Sequence, residues 1–329
     1  MESKEPGYIV LYKSGELKLR AEKLEERLLA CDICPRKCGI NRLKGERGFC
    51  NSASQPIIAS YCAHTGEEPA LSGIRGSGTI FFGNCNMRCT YCQNFQISQD
   101  FTTQLENETD CGTLANRMLY LQNELKCHNI NLVSPTHFVP QIVKALLEAV
   151  AKGLHLPLVY NTGGYDSLDI IKALEGIIDI YLPDIRYASD KTGLALSEAT
   201  DYVFNNRQVI QEMYQQVGDL MVDENEIAYR GVIVRHLILP DRLSGSEDSL
   251  TWLAQKVSPT ITLSIMSQYY PCHKASEITG LSRTITYEEY SEVVELLEKL
   301  GLENGWLQEM DAPASYLPDF TRQGNPFSE

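Results

Sequence analysis

The chain has 329 residues, 43% of them hydrophobic, which is enough to bury the core of one large α/β domain and a smaller appendage. Its formal net charge of −14 repels phosphate backbones, so nucleic acid is an unexpected partner. No apolar run approaches the roughly 20 residues that span a bilayer, and no secretory leader or lipidation signal is visible, so we expect a cytoplasmic protein that binds no membrane.

The first feature along the chain is a segment with four closely spaced cysteines. Cys31, Cys34, Cys38 and Cys50 lie within twenty residues, and the proline and glycine residues among them favour tight ligand loops. Eleven cysteines in a chain without a leader favour a reducing compartment, where thiols bind metal rather than form disulfides. Four thiolates complete either a tetrahedral zinc site or a second iron–sulfur cluster, and their spacing fits both. We expect residues 1–70 to form a small cysteine-rich metal-binding module.

Residues 71–280 have the alternating pattern of a parallel α/β scaffold. Short apolar runs rich in β-branched residues alternate with segments of helical period, as in βαβ units. The predicted strands are 78–83, 129–133, 156–161, 177–183, 231–239 and 260–266. The predicted helices are 111–126, 138–152, 167–174, 197–217, 246–257 and 287–300. Six strand–helix units predict an open, partial barrel.

Two further segments complete the predicted organisation. Residues 281–329 are expected to form a C-terminal helix and an extended tail that pack on the barrel, and the helix opens with Thr286 and Glu289 as a capping box. Residues 101–110 are polar and aperiodic, which predicts a loop.

A second group of cysteines follows the first predicted strand of the scaffold. Cys85, Cys89 and Cys92 are spaced Cys-x3-Cys-x2-Cys, and this places three thiols at the carboxyl end of a buried strand, where ligands of parallel α/β folds bind. A 4Fe–4S cluster held by three thiolates keeps one iron open to a substrate. The alternative is a structural zinc site whose fourth ligand is His64, His137 or Cys62.

This triplet, with Tyr91 before its last cysteine, resembles the motif of the radical S-adenosylmethionine superfamily. Longer stretches are similar to a narrower branch, the pyruvate formate-lyase activating enzyme-like proteins. These stretches cover nearly the whole chain: Gly66–Pro69, Gly76–Phe82, Cys92–Asn94, Ser134–His137, Asn161–Tyr165, Leu182–Asp184, Gln268–Pro271 and Pro318–Phe320.

The resemblance implies a fold, two cofactors and a reaction. The expected fold is a partial (β/α)6 radical-SAM barrel with parallel strands, and the cofactors are a 4Fe–4S cluster and S-adenosyl-L-methionine. In this superfamily the reduced cluster gives one electron to the sulfonium of the cofactor, which yields methionine and a 5′-deoxyadenosyl radical that abstracts hydrogen from a substrate. Cys85, Cys89 and Cys92 would then be both metal ligands and catalytic residues.

The resemblance also assigns cofactor-binding positions. Related activating enzymes carry a Gly-Gly-Glu segment that meets the methionyl amino group, and this chain has Ser134–His137 in its place. Arg235 aligns with an arginine that binds the cofactor carboxylate, whereas a salt bridge with Asp184 is the structural alternative. The expected cofactor ligands are Ser134, Thr136, Asn161, Thr162, Asp184, Arg186, Arg235 and Gln268.

A monovalent cation is a further expectation from the resemblance. Asn161, Thr162 and Asp184 occupy positions where related activating enzymes hold such a cation beside the cofactor, although Asn161 replaces an aspartate there.

The function implied by the resemblance is hydrogen abstraction from a protein or peptide, in its narrow form from a glycine of a glycyl-radical enzyme. An electron donor such as flavodoxin or ferredoxin would be the second partner. Two alternatives stay open: radical modification of another peptide or a small metabolite, and a non-enzymatic binding module stabilised by zinc.

Overall fold

The structure, a computed structural model, describes residues 5–310, 317–322 and 324–327. Its helices are α1 (Gly7–Ser14), α2 (Glu16–Glu26), α3 (Pro69–Ser72), α4 (Phe95–Ser98), α5 (Phe101–Gln104), α6 (Cys111–Asn123), α7 (Val139–Ala151), α8 (Leu168–Ala173), α9 (Asp190–Ser197), α10 (Tyr202–Val217), α11 (Ser246–Lys256) and α12 (Tyr287–Leu300). Its strands are β1 (Ile58–His64), β2 (Ser77–Phe82), β3 (Ile130–Val133), β4 (Leu158–Thr162), β5 (Ile180–Pro183), β6 (Met221–Val222), β7 (Ala228–Leu237), β8 (Thr262–Met266) and β9 (Gly305–Leu307).

The strands form one mostly parallel sheet in the order β1-β2-β3-β4-β5-β7-β8-β9, with β6 paired to β7. β1 with β2 and β6 with β7 are the antiparallel pairs. Every residue of β2, β3, β4 and β5 is buried, as expected of parallel strands covered on both faces. The predicted parallel α/β scaffold is therefore confirmed. Its curvature into a partial barrel stays a prediction.

The structure corrects two of the predicted elements and confirms a third. Predicted helix 197–217 begins only at Tyr202, because Glu198 and Asp201 take left-handed backbone angles with φ of 50° and 52°, and the preceding helix, α9, ends at Ser197. Predicted loop 101–110 contains α5, whose first turn is capped by Asp100. The capping box at Thr286 and Glu289 is confirmed.

Helix α1, which is not predicted from the sequence, lies at the end of the sheet opposite the strands' carboxyl ends, and α2, also not predicted, packs on α7. The Tyr8 hydroxyl donates to the Leu156 carbonyl (2.7 Å), two residues before β4 begins. The Gly7 amide donates to Asp179 Oδ1 (3.0 Å), immediately before β5. Helix α1 thus contacts the segments that lead into β4 and β5.

The predicted module over residues 1–70 contributes a strand to the main sheet, because β1 pairs with β2 from Ile58 to His64. At the other terminus, residues 311–316 of the predicted tail lie outside the described residues, as do 1–4, 323, 328 and 329. The described part of the tail packs on β1 and β2: the Ser60 hydroxyl donates to the Gly324 carbonyl (2.9 Å), and the rings of Phe320 and Phe81 are 5.2 Å apart. No helix in the described ranges is both long and apolar enough to cross a bilayer.

Candidate functional site

A cavity of about 580 Å³ opens at the carboxyl ends of the parallel strands. Side chains from successive strands and from the loops that follow them converge there, which is where ligands bind in parallel α/β folds. The predicted site residues that line it are Cys92, Asn161, Asp184, Arg186, Arg235 and Gln268.

The loop that carries the three cysteines leaves β2 through a strained turn. Asn84 is fully buried with φ of 64°, and its side-chain amide donates to the Asn51 carbonyl (3.1 Å). The Met87 backbone amide donates to the sulfur of Cys85 (3.4 Å). The turn therefore aims the first thiol and fixes the loop against the segment around residue 51.

The Cys89 sulfur receives two hydrogen bonds from other parts of the chain. The Ser197 hydroxyl donates to it at 3.0 Å and the Arg186 guanidinium at 3.2 Å. Ser197 is held in turn by the Tyr187 hydroxyl (2.6 Å), which lies 2.5 Å from the Tyr91 hydroxyl. Donors of this kind suit a negatively charged sulfur, as in a metal thiolate.

The three thiols lie close enough to influence one another. Burial raises the pKa of Cys92 to about 12, and the neighbouring charges of Cys89 and Cys85 contribute to the rise, while a hydrogen bond with Ser98 (3.2 Å) opposes it. Burial and Cys89 likewise raise the pKa of Cys85. Such thiols stay protonated at neutral pH unless a metal binds them, because metal binding releases the proton. The donor set therefore fits an iron–sulfur cluster.

A buried ion network joins β4, β5 and β7 at the cavity wall. Arg235 Nε donates to Asp184 Oδ1 (2.9 Å), its Nη2 donates to Asn161 Oδ1 (2.6 Å), and Arg186 Nη2 donates to Asp184 Oδ2 (2.6 Å). Burial alone would raise the pKa of Asp184, but Arg235 and Arg186 outweigh it and lower the pKa. The predicted salt bridge between Arg235 and Asp184 is confirmed.

Two adjacent carboxyl groups in the cavity are not predicted from the sequence. Glu67 and Glu68 lie between β1 and α3, and Glu67 Oε2 is 3.8 Å from Arg235 Nη1. Glu68 is 7% exposed, and its Oε2 has no hydrogen-bond partner among the described residues. Burial raises the pKa of both carboxyls, although the charge of Arg235 opposes the rise. The cavity therefore holds an acidic pair suited to a cationic group.

Three expected cofactor ligands lie behind the cavity wall instead of lining it. Ser134 has φ of 56°, and its amide donates to the Asn161 carbonyl (2.8 Å). The hydroxyls of Thr136 and Thr162 are 3.3 Å apart, and Thr162 donates to Asp166 Oδ2 (2.6 Å). The two threonine hydroxyls therefore already have partners within the protein, and the cofactor-binding roles of all three residues stay predictions.

The oxygen atoms expected to bind a monovalent cation already accept hydrogen bonds from arginines. Asn161 Oδ1 accepts from Arg235, and both oxygens of Asp184 accept from arginines. A cation at this position would have to compete with two guanidinium groups for the same oxygens.

Gln268 lines the cavity and is hydrogen-bonded to Gln308, which connects the segments that follow β8 and β9. Its amide N–H donates to Gln308 Oε1 (3.0 Å), and Gln308 Nε2 donates to Gln268 Oε1 (2.9 Å). Gln93 Nε2, one residue beyond Cys92, donates to the Gln268 carbonyl (3.2 Å). Gln93 and Gln308 thus join the cysteine loop to β9, and neither is assigned a role from the sequence.

The four N-terminal thiols are also close together. Burial raises the pKa of Cys34 well above its usual range, and the charges of Cys50, Cys31 and Cys38 contribute to the rise. Within the described ranges, however, no group of three or more His, Cys, Asp or Glu side chains is arranged to hold a single metal ion, and this holds for the four N-terminal cysteines as for Cys85, Cys89 and Cys92. The zinc and second-cluster alternatives for this module both stay predictions.

The alternative zinc site at Cys85–Cys92 receives no support from the histidines proposed to complete it. His137 is buried, and its Nε2 lies 3.0 Å from the Gly83 carbonyl. His64 is stacked on Phe327, with ring centroids 4.0 Å apart.

His64 leads to a stability prediction. Burial lowers its pKa to about 4, against about 6.5 in an unfolded chain. The folded state therefore resists the protonation that the unfolded state accepts, so stability present above pH 6.5 is lost as the pH falls towards 4. We expect the drop in unfolding free energy between pH 7 and pH 5, measured by urea unfolding, to be about 2 kcal/mol smaller in His64→Phe than in the wild type. A drop remains in the variant because burial also lowers the pKa of His137 and of His236. The control is His155→Gln, at an exposed position, which should keep the drop. An equal pH response in His64→Phe and the wild type would contradict this origin.

Comparisons with known proteins place the chain near few relatives. No protein-family model matches it. The uncharacterized protein MJ0674 of Methanocaldococcus jannaschii is 29% identical over 297 residues, which cover 88% of this chain and 81% of that protein. The uncharacterized protein MJ0808 of the same organism is 35% identical over 91 residues, or 24% of this chain and 27% of that protein.

Two solved structures are similar at 9% sequence identity. Native anSMEcpe with bound AdoMet aligns with a TM-score of 0.45, over 68% of this chain and 61% of its own, so this chain spans less than two thirds of that structure. TYW1 with a lysine-pyruvate adduct bound also aligns with a TM-score of 0.45, over 71% of this chain and 78% of its own.

Proposed function

We propose that this chain is a radical S-adenosylmethionine enzyme in which Cys85, Cys89 and Cys92 hold a 4Fe–4S cluster. The observation that carries the proposal is the meeting of one buried and two half-buried thiols beside a polar cavity, each with a hydrogen-bond partner on its sulfur. Three thiolates leave one iron of a cubane for a ligand in that cavity.

The polar groups of the cavity match the two charged ends of a methionyl group. Arg235 and Arg186 are suited to its carboxylate, which guanidinium groups bind bidentately. Glu67 and Glu68 are suited to its ammonium, and they supply the carboxylate that Ser134–His137 lacks. When bound, the reduced cluster and S-adenosyl-L-methionine together supply a 5′-deoxyadenosyl radical that abstracts a hydrogen atom.

Apolar side chains line the same cavity and would limit the access of water to a radical. Phe81, Trp306 and Phe327 surround the polar groups, and the last of these belongs to the C-terminal segment that packs on β1 and β2. Excluding water prevents side reactions of reactive species, which a radical enzyme requires.

We further propose that the hydrogen comes from a protein or peptide. Trp306 and Leu307 of β9 line the cavity, and β9 ends the described sheet. An extended peptide can pair with the outer edge of such a strand while one side chain enters the cavity. A glycine of a glycyl-radical enzyme is the narrowest form of this proposal. A low-potential donor such as flavodoxin or ferredoxin would reduce the cluster.

Cofactor cleavage tests the enzymatic proposal. Protein reconstituted with iron and sulfide under nitrogen, then reduced with dithionite, is expected to convert S-adenosylmethionine to 5′-deoxyadenosine, measured by liquid chromatography and mass spectrometry. A reaction without dithionite is the control. Iron-loaded, reduced protein that forms no 5′-deoxyadenosine would contradict the proposal.

Isotope transfer tests the class of substrate. Cells of the source organism are grown in deuterated medium, and their extract is separated by size under nitrogen. We expect deuterium in 5′-deoxyadenosine when the macromolecular fraction is added to the reduced enzyme. Transfer from the small-molecule fraction alone would point instead to a metabolite.

A further inference from the structure

The backbone of the N-terminal module gathers its first three cysteines. The Cys31 amide donates to the Ile40 carbonyl (2.8 Å), and the Gly39 amide donates to the Cys31 carbonyl (2.9 Å). The Lys37 amide donates to the Cys34 carbonyl (3.0 Å), which closes a turn between these residues. Cys38, which lies between these partners in the sequence, is therefore brought beside both of the other cysteines.

The fourth cysteine reaches the group through a glycine. A Cβ atom placed on Gly48 would lie 2.8 Å from the sulfur of Cys38, so the Cys38 thiol packs directly on this glycine, two residues before Cys50. Cys31, Cys34 and Cys50 are 7%, 7% and 8% exposed. Cys38 is half-buried. The four thiols thus lie near one another, and three of them are shielded from solvent.

A buried cation beside this group calls for a negative charge. Arg42 is 1% exposed, and its guanidinium donates to the carbonyls of Ala53 (2.8 and 3.0 Å) and His137 (2.7 Å), which are neutral. Its Nη1 lies 4.0 Å from the sulfur of Cys31. A buried guanidinium among neutral acceptors is costly unless an anion lies nearby. Four metal-bound thiolates carry the net negative charge that would compensate it.

The residues on either side of Cys50 contact the residues around Cys85. Asn84 donates to the Asn51 carbonyl (3.1 Å), and Arg88 donates to the Phe49 carbonyl and to the Cys85 carbonyl (2.7 Å). One guanidinium therefore joins both cysteine loops. The two groups of thiols are neighbours in space, although their sequence separation alone does not require it.

A second arginine makes the reciprocal contact. Arg36, from the N-terminal module, donates to the Asn86 carbonyl in the loop of the three cysteines (3.0 Å). The guanidinium carbons of Arg36 and Arg88 lie 3.6 and 4.2 Å from the centroid of the Phe49 ring. These contacts fix the distance between the two loops, as fast electron transfer between two centres requires.

We infer that Cys31, Cys34, Cys38 and Cys50 hold a second 4Fe–4S cluster that passes electrons to the cluster of Cys85, Cys89 and Cys92. The relay rests on the proposed function. A reduced one-electron donor protein of the ferredoxin or flavodoxin class loses one electron, and the second cluster is reduced from the 2+ to the 1+ state. It returns to 2+ as the first cluster takes the electron, and no atom or proton is transferred.

Metal content tests the identity of the second site. In the variant Cys85→Ala/Cys89→Ala/Cys92→Ala, the four-thiol group is the remaining candidate site, and we expect about four irons per chain, less than 0.1 zinc, and an electron paramagnetic resonance signal after reduction. Zinc, or no metal, would overturn the inference. If this variant holds four irons while the wild type cleaves no S-adenosylmethionine, the proposed enzymatic function is contradicted, but the assignment of a second cluster to the four N-terminal cysteines is supported.

Reduction kinetics test the relay. The measured quantity is a ratio: the rate of 5′-deoxyadenosine formation with reduced ferredoxin over the rate with dithionite. We expect this ratio to fall about tenfold or more in Cys34→Ala. Cys127→Ala, at a buried thiol outside both groups, is the matched control and should keep the wild-type ratio. An unchanged ratio in Cys34→Ala would overturn the relay. The triple variant tests the cluster even if Cys34→Ala does not fold.

Discussion

Replacing Cys89 with alanine is expected to remove the first cluster and lower 5′-deoxyadenosine formation by more than about 100-fold, since losing even an outer partner of a metal site costs about 10- to 100-fold. Cys89 is the thiol most tightly held by the rest of the chain, through Ser197 and Arg186. Without it the site offers two ligands to a cubane that needs three from this loop. The measurements are iron and sulfide content, the resonance signal of the reduced protein, and the cleavage assay.

The matched control for this experiment is Cys111→Ala. Cys111 is half-buried at the first turn of α6 and belongs to neither group of thiols. Its replacement should leave iron content and cleavage near the wild-type values. Melting curves of both variants separate cluster loss from unfolding. Cleavage in Cys89→Ala equal to that of the control would contradict the assignment of this residue as a ligand.

Much of the scaffold is predictable because its strands are buried on both faces. β2, β3, β4 and β5 lie in short runs of the sequence rich in apolar residues, and the position of Cys85–Cys92 directly after β2 follows from the local sequence alone. The start of α10 is different. The helical pattern is interrupted between α9 and α10 by left-handed backbone angles at Glu198 and Asp201. Residues other than glycine adopt such angles only where the surrounding packing compensates for the strain.

The polar cavity is only partly predictable because its members meet through pairings between distant parts of the chain. Arg235 and Asp184 are joined by a bridge between neighbouring strands, which a parallel sheet makes predictable. Glu67 and Glu68 reach the cavity through the antiparallel packing of β1 on β2, and adjacent acidic residues before a proline are otherwise typical of a solvated helix start. The Thr136 hydroxyl lies 3.3 Å from that of Thr162, and the role of Thr136 as a cofactor ligand stays a prediction.

Replacing Arg235 with leucine is expected to lower the free energy of unfolding by about 3–5 kcal/mol, the usual cost of breaking a buried ion pair from one side. Leucine keeps part of the apolar volume but leaves Asp184 paired with Arg186 alone and removes the cation that faces Glu67. Urea unfolding at pH 8 measures the loss. Arg230→Leu, on the same strand but half-buried and bonded to one carbonyl (2.7 Å), is the control and should cost about 1 kcal/mol.

The same variant has a pH signature that separates charge from packing. Burial already raises the pKa of Glu67 and Glu68, and the charge of Arg235 is what opposes this rise. Without the guanidinium, the folded state should bind protons more readily than the unfolded state, so the variant gains stability relative to the wild type as the pH falls from 8 to 5.5. Adding Asp184→Asn to Arg235→Leu should recover part of the loss at pH 8. If Arg235→Leu lowered the free energy of unfolding equally at pH 8 and pH 5.5, Arg235 would stabilise β7 by packing alone. Glu67 and Glu68 would then keep their charge in the absence of the Arg235 guanidinium.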